Sequence, residues 1–185
     1  MDSWSFSRPA GPGGTVAGIE LLLLRHGIAE ERRSGLDDAA RNLTAEGRLR
    51  TETVLRRARV LDLDVQILFS SPLTRARQTA EIAVAVGLAP SWQAAAALAP
   101  GGDGPGWLEA CLGSLPLPPG SRIGLVGHEP DLGLLAAQLL GARPGAIALR
   151  KAGLLLVSLD PLREPGGPWK GQLSLLLRPR ILLAD

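Results

Sequence analysis

The chain has 185 residues, 45% of them hydrophobic and 21% charged, a composition typical of a globular domain with a sizeable core, which excludes a largely disordered chain. Its 20 basic residues nearly balance 18 acidic ones, and the formal net charge of +2 gives no nucleic-acid-binding footprint. One cysteine excludes an intramolecular disulfide, and no run reaches the roughly 18 apolar residues that span a bilayer. We expect a cytoplasmic protein with neither nucleic acid nor membrane as a partner.

The first residues lack the basic start and the continuous apolar segment of a signal peptide. We therefore expect a flexible leader over residues 1–18 and a single domain over residues 19–185.

Buried strands and amphipathic helices are predicted to alternate. The first strand covers residues 19–24, and a helix capped by Thr44 follows, with Leu49, Val54 and Leu55 as its apolar residues and its end near residue 60. A second strand covers residues 65–69.

The Ser-Pro pair after this strand predicts Ser71 as the N-cap and Pro72 as the first residue of a helix that ends at Gly87. A short strand is expected near Ala96. The remaining elements are helices over residues 107–115 and 131–140 and strands over residues 122–126, 154–159 and 172–177.

This alternation predicts an α/β fold, a three-layer α/β/α sandwich around a central, mostly parallel sheet. In such sheets the loops at the carboxyl ends of the strands form the ligand crevice. Both histidines of the chain, His26 and His128, follow apolar strand-like runs. The sequence therefore predicts a two-histidine active site.

Two arginines are predicted to accompany these histidines. Arg25 precedes His26, and Arg75 lies in the first turn of the helix after the second strand, where its charge adds to the positive end of the helix dipole. The planar guanidinium group suits phosphate oxygens. Together the strand ends form a predicted phosphate pocket, in which Gly27 lets the backbone approach a ligand closely.

Three segments in order, RHG, SSPLTRARQTA and VGHEP, resemble the histidine phosphatase superfamily, also called the phosphoglycerate mutase-like family. Within it, the small size of the chain and its DDAARNLTAEG segment resemble SixA-type phosphohistidine phosphatases. The resemblance implies that His26 is the nucleophile and forms a phosphohistidine intermediate, with Arg25, Arg75 and His128 on the phosphoryl oxygens. It implies neither a metal nor a cofactor.

The rim of the pocket and its general acid are less well defined. The resemblance places Arg41 near the mouth of the pocket, where it would form part of the rim together with Gly27. The alternative for Arg41 is a solvated arginine that does not contact the substrate. Members that act on phosphate esters usually carry a glutamate acid in the middle region, but this chain has no glutamate between Glu81 and Glu109. Asp103 and Glu129 are the candidate acids, and their structural alternatives are a turn residue and a charge at a helix N-terminus.

Without an evident acid, the favoured substrate is a phosphoramidate, because a protonated imidazole leaves more easily than an alkoxide. We expect a metal-independent phosphohistidine phosphatase whose phosphorylated substrate includes histidine-phosphorylated proteins. The alternatives are a phosphomonoesterase for a small metabolite and a non-catalytic binder of a phosphorylated partner.

Overall fold

A six-stranded sheet forms the centre of the fold in the computed structural model, which describes residues 18–35, 37–162 and 167–183. Its strands are β1 (Glu20–Arg25), β2 (Ile67–Ser70), β3 (Trp92–Ala94), β4 (Arg122–Gly127), β5 (Leu154–Leu159) and β6 (Gly171–Leu177). Their order across the sheet is β3, β2, β4, β1, β5, β6. The first four are parallel, while β5 is antiparallel to β1 and β6 is antiparallel to β5.

Helices cover both faces of this sheet. They are α1 (Ala45–Val60), α2 (Thr74–Ala85), α3 (Gly104–Ser114), α4 (Asp131–Leu139) and the short α5 (Pro179–Leu182), with 3-10 turns at Asp38–Ala40 and Ala96–Leu98. One apolar cluster joins α3 and α4 to the sheet, and a second joins α1, α2 and α5 to its other face. The expected three-layer α/β/α architecture with a mostly parallel sheet is confirmed.

The leucine run of β1 explains why this strand lies in the interior of the sheet. Leu21 and Leu23 contribute to the α3/α4 cluster, whereas Leu22 and Leu24 contribute to the cluster on the other face. Because side chains alternate across a strand, a continuous apolar run is what a strand covered on both faces requires. All four leucines are buried.

Most predicted elements lie within one or two residues of the observed ones. Helix α1 begins after Thr44, whose hydroxyl oxygen accepts a hydrogen bond from the N–H of Gly47 at 2.9 Å, as an N-cap should. Cys111 is buried in the α3/α4 cluster. No helix in the described ranges is long and apolar enough to cross a membrane. Residues 1–17, most of the expected leader, lie outside those ranges.

Four local predictions are wrong. Leu49 is 68% exposed, because it lies on the outer side of α1. The predicted start of α2 is too early, since Thr74 is its first residue and the Ser71 side chain has another partner. The strand near Ala96 lies earlier, as β3, and α3 begins three residues before its predicted start, because Asp103 caps it.

Strands β1, β2 and β4 are adjacent and parallel, so their carboxyl ends meet at one edge of the sheet, here called the carboxyl edge. β5 begins at this same edge, because Leu154 pairs with Leu24 near the end of β1. The carboxyl edge therefore gathers the segments that follow three strands and the segment that precedes a fourth.

Candidate active site

Arg25, His26 and His128 come from the ends of two neighbouring strands. Arg25 is the last residue of β1, and the backbone N–H of His26 donates to the carbonyl oxygen of Gly127 at 3.1 Å, which extends the ladder between β1 and β4. His128 follows β4 directly. The two imidazole rings consequently lie side by side, with their centroids 5.0 Å apart.

The protonation pattern of the His26 ring follows from its backbone contact. Nδ1 of His26 lies 2.7 Å from the carbonyl oxygen of Gly27, which can only accept a hydrogen bond. Nδ1 must therefore carry the proton. In the neutral ring, Nε2 is then left with its lone pair, as a nucleophilic imidazole requires.

Ser71 orients the second imidazole. Its hydroxyl oxygen lies 2.8 Å from Nε2 of His128 and accepts a weaker hydrogen bond from the N–H of Leu73 at 3.3 Å. Nδ1 of His128 is buried and has no hydrogen-bond partner in the described ranges. If the Ser71 hydroxyl donates to Nε2, Nδ1 carries the proton and becomes a donor toward an anion. The sequence pattern missed this role because Ser-Pro also fits a helix start.

Arg75 reaches the site from the first turn of α2. Its side chain is only 2% exposed, and its guanidinium group donates to Asp38 twice, to a carboxylate oxygen at 3.0 Å and to the backbone oxygen at 2.7 Å. Burial lowers the pKa of Arg75, although Asp38 opposes this shift. Arg77, two residues further along α2, is exposed.

The side chains of the site form a cluster that consists of Arg25, His26, Arg75 and His128. Within this cluster, Arg25 is held on the side opposite Arg75. Its Nη1 donates to the carbonyl oxygen of Leu149 at 2.8 Å. The Nε atoms of Arg25 and Arg75 are, like Nδ1 of His128, buried nitrogens without a partner in the part of the chain that the structure describes. Unpaired buried polar groups are costly, so three such nitrogens in one cluster favour a site for the oxygens of an anion.

Both histidines are held neutral. Burial is the main cause that lowers the pKa of His26 to about 3, and His128, Arg75 and Arg25 lower it further, against the raising effect of the Gly27 carbonyl. Burial likewise lowers the pKa of His128 to about 4, with Arg75 as the next cause. A neutral imidazole surrounded by cations can attack an anionic group that those cations attract.

Gly27 is buried, and the reason for a glycine here differs from the expected one. Its N–H donates to the hydroxyl oxygen of Thr79 at 3.1 Å. A Cβ atom built at this position would lie 2.2 Å from the hydroxyl oxygen of Thr51 on α1. The close approach seen in the structure is therefore to a helix, whereas the interpretation of Gly27 as a rim residue stays a prediction.

Arg41 lies close to the cluster rather than free in solvent. Its side chain is 16% exposed and pairs with Asp38 at 2.9 Å, and its charge contributes to lowering the pKa values of Arg75 and His128. Asp38 thus contacts Arg41 and Arg75 together, and Arg32 as well at 2.8 Å. No sequence pattern indicates this role of Asp38, because a contact with a residue 37 positions away has no local signature.

The two candidate acids have different surroundings. Asp103 is exposed and caps α3, where its carboxylate accepts a hydrogen bond from the N–H of Gly106 at 2.9 Å. Glu129 accepts from the N–H of Leu149 at 2.9 Å, and burial raises its pKa, while Arg25 and two backbone N–H groups oppose the rise. Of the two, Glu129 lies close to a cluster residue, because Leu149 also accepts from Arg25.

In residues 18–35, 37–162 and 167–183, no group of three or more histidine, cysteine, aspartate or glutamate side chains is arranged to hold a metal ion. The cluster instead presents two arginines, with Arg41 beside them, and a pair of neutral imidazoles. This arrangement can bind a phosphoryl group and attack its phosphorus from a ring nitrogen.

Comparison with known proteins identifies the family to which the chain is similar. Residues 21–98 match the histidine phosphatase superfamily (branch 1). An uncharacterized protein of Picosynechococcus sp. (strain PCC 7002) is 41% identical over 166 residues, which are 89% of this chain and 99% of that relative.

Solved structures extend the comparison. The protein histidine phosphatase SixA complexed with tungstate has a TM-score of 0.74 at 25% identity, covering 88% of this chain and 99% of its own. A mycobacterial glucosyl-3-phosphoglycerate phosphatase complexed with VO3 shares the fold, with a TM-score of 0.66 at 17% identity, over 84% of this chain and 97% of its own. The chain therefore belongs to the histidine phosphatase superfamily, has a SixA-like fold and falls in the phosphatase class of enzymes.

Proposed function

We propose that the protein is a phosphohistidine phosphatase in which His26 takes the phosphoryl group from its substrate as a covalent intermediate. The observation that carries this proposal is the 2.7 Å hydrogen bond from Nδ1 of His26 to the Gly27 carbonyl oxygen. It leaves the lone pair on Nε2, and the low pKa of His26, about 3, keeps that lone pair available at neutral pH.

In the first step, Nε2 of His26 forms a bond to phosphorus while the bond from phosphorus to the substrate's imidazole nitrogen breaks. The electron pair goes to the departing nitrogen, and the leaving imidazole is neutral when its other nitrogen is already protonated or takes a proton from solvent. Arg25, Arg75 and the Nδ1 proton of His128 neutralise the phosphoryl oxygens during transfer.

In the second step, the oxygen of a water molecule forms a bond to phosphorus as the bond to Nε2 breaks. The electron pair returns to His26, and the proton of the water is released with orthophosphate. The Gly27 carbonyl supports this step too, because its hydrogen bond keeps the proton on Nδ1, so that the ring departs from phosphorus as a neutral imidazole rather than as an imidazolate anion.

The preference for a phosphoramidate rests on the leaving group. An imidazole departs without strong acid catalysis, whereas the alkoxide from an ester needs a proton as it leaves. The Asp103 carboxyl group caps the exposed start of α3, and the Glu129 carboxyl group is held by the N–H of Leu149. A substrate that needs no acid fits this arrangement best.

A small-metabolite phosphomonoesterase is the second candidate, and Glu129 supports it. Burial raises the pKa of this carboxyl, as a general acid requires, and it lies next to His128 in the chain. Glu129→Gln would then reduce ester hydrolysis far more than phosphohistidine hydrolysis, and Asp103→Asn, at the exposed cap of α3, is the matched control.

The two candidates are separated by phosphate release from phosphohistidine and from an aryl phosphate monoester, measured side by side in chelator with His26→Ala as the blank. Faster turnover of phosphohistidine supports the leading proposal, and faster turnover of the ester supports the second candidate. Normal turnover by His26→Ala contradicts both. Binding without turnover by the unaltered protein would indicate a non-catalytic phosphate binder.

A further inference from the structure

A cleft with a volume of about 440 Å³ opens beside Arg25, and six of the eight residues that line it are cationic. The cations of this cleft, called the basic cleft below, are Arg25, Arg50, Arg150, Lys151, Arg178 and Arg180. Ile28 and Pro179 add apolar surface to it. Among the described residues no carboxylate lines the cleft, and the aliphatic stems of its cations form much of its walls, with the charged groups of the exposed ones at the rim.

Three distant segments bring these cations together at the carboxyl edge. Arg50 lies on α1, Arg150 and Lys151 precede β5, and Arg178 and Arg180 follow β6. They meet because β5 begins beside the end of β1 and β6 ends beside the start of β5. The basic cleft therefore lies at the same edge as His26, on its β5 side, while Asp38 and Arg75 lie on the β2 side.

The cations of the cleft other than Arg25 have no ion-pair partner within the described ranges. The ion pairs there involve Arg32, Arg41, Arg56, Arg75 and Arg122, and none involves the cleft residues that surround Arg25. Arg150 and Lys151 are exposed, as are Arg178 and Arg180. Grouping like charges costs free energy unless an anion offsets it.

We propose that the basic cleft binds carboxylate side chains of the protein that carries the phosphohistidine, next to the phosphorylated residue. This inference rests on the proposed function of His26, because it names the kind of surface that surrounds the group His26 attacks. Arg25 belongs to both the cluster and the cleft, so a carboxylate bound in the cleft would lie beside the transferred phosphoryl group.

A protein surface fits the cleft because its rim cations are exposed and lie on separate segments, within reach of several side chains of one partner. Arginine dominates the set, and its planar fork matches a carboxylate in two parallel hydrogen bonds. Complementary charge around the pocket would also steer an acidic partner toward His26 and orient it.

The test compares two phosphohistidine peptides, one with aspartates flanking the phosphohistidine and one with alanines, as substrates of the full chain. We expect kcat/KM to favour the acidic peptide by about tenfold at low salt, and the preference to vanish at high ionic strength. In the double variant Arg150→Gln/Arg180→Gln, the ratio of kcat/KM for the acidic peptide to kcat/KM for the alanine peptide should fall to about one. The reason is that each exposed ion pair contributes roughly threefold to this ratio.

A matched control removes the same charge elsewhere. Arg143→Gln/Arg56→Gln also eliminates two exposed arginines, but neither lines the cleft. This variant should keep the preference for the acidic peptide. Equal loss in both double variants would show a general effect of net charge and overturn the proposal, as would a preference that the cleft variant leaves intact.

A binding measurement separates this inference from the proposed function. Fluorescence anisotropy with a labelled, unphosphorylated aspartate-rich peptide needs no turnover, and its affinity should fall about tenfold in the cleft variant only. If the affinity for the peptide falls in the cleft variant only, while the unaltered protein does not hydrolyse phosphohistidine, the proposed function fails but carboxylate binding by the basic cleft stands. If tripolyphosphate displaces the peptide at far lower concentration than an acidic peptide of equal charge, the cleft is a site for a small polyphosphate, and the proposal is wrong.

Discussion

His26 donates its Nδ1 proton to the carbonyl oxygen of Gly27, the next residue, across 2.7 Å. A backbone carbonyl cannot donate, so this contact selects one tautomer of the neutral ring and directs the lone pair to Nε2. The selection needs no neighbouring carboxylate, because the backbone after β1 supplies the acceptor. The proposed nucleophile and its orientation thus come from two consecutive residues at a strand end.

The first prediction concerns the charge of both histidines. Because their pKa values are lowered to about 3 and about 4, we expect neither ring to titrate between pH 8 and pH 5 in ¹⁵N NMR spectra. His26 should show the Nδ1–H tautomer throughout. With only two histidines in the chain, one single variant assigns both signals. Titration of either ring near pH 6.5 would contradict this account.

The second prediction concerns stability against pH. A histidine with a pKa of about 6.5 in the unfolded chain and a much lower one in the folded chain binds more protons when unfolded, so stability is complete above pH 6.5 and falls as the pH decreases toward the folded-state values. We expect a loss of about 2 kcal/mol for each histidine between pH 7.5 and pH 5.

Urea unfolding at the two pH values measures this loss. The variant His26→Gln/His128→Gln should lose much less stability than the unaltered protein over the same interval. Carboxylates such as Asp38, whose pKa is lowered in the folded chain, contribute mainly below this range and so do not obscure the comparison. Equal losses in the two proteins would mean that the histidines titrate normally in the fold.

Much of the fold could be predicted from the sequence because its signals are local. The leucine run of β1 indicates a strand covered on both faces, and Thr44 marks the start of α1 by a cap that operates within three residues. Gly87, at a φ of +75°, marks the end of α2, as expected of a glycine after a helix. His26 and His128 were predicted to meet, because strand ends in a parallel sheet share an edge.

The remaining features depend on contacts between distant residues. The Asp38–Arg75 pair spans 37 positions and left no periodic signal in either segment. Ser71 fits a helix cap by pattern, but its hydroxyl lies against His128, 57 positions away, and the helix begins later. The basic cleft likewise joins Arg50, Arg150 and Arg178, none of which belongs to a motif.

The third prediction tests the carboxylate that contacts Arg75. Burial acts to raise the pKa of Asp38, but Arg75, Arg32 and Arg41 lower it overall, so Asp38 is an anion beside the proposed phosphate pocket. Removing this charge should strengthen inhibition by orthophosphate, since anions then no longer share Arg75 with a carboxylate. We expect the inhibition constant of Asp38→Asn to fall by about threefold to tenfold.

Asp37→Asn is the matched control, because Asp37 only caps the 3-10 turn by accepting from the N–H of Ala39 at 2.9 Å. Its inhibition constant should not change. Weaker inhibition in Asp38→Asn would show instead that Asp38 is needed to position the arginines.

The fourth prediction concerns Ser71 as a positioning residue for His128. Ser71→Ala removes the hydroxyl at 2.8 Å from Nε2, so the ring loses the contact that favours the Nδ1 proton. We expect kcat to fall about tenfold and the His128 ¹⁵N signals to show a mixture of tautomers. Ser70→Ala is the control, because the Ser70 hydroxyl donates to a backbone oxygen at 3.0 Å. Unchanged His128 signals in Ser71→Ala would refute this role.

The most direct test of the account is to trap the phosphorylated enzyme. The protein reacts with a labelled phosphoryl donor in the presence of chelator, the reaction is quenched rapidly without acid, and mass spectrometry locates the label. The account predicts one phosphoryl group on Nε2 of His26, formed and lost at rates compatible with turnover and absent in His26→Ala. A label on His128, or full turnover with no phosphorylated His26 at any time, would contradict it.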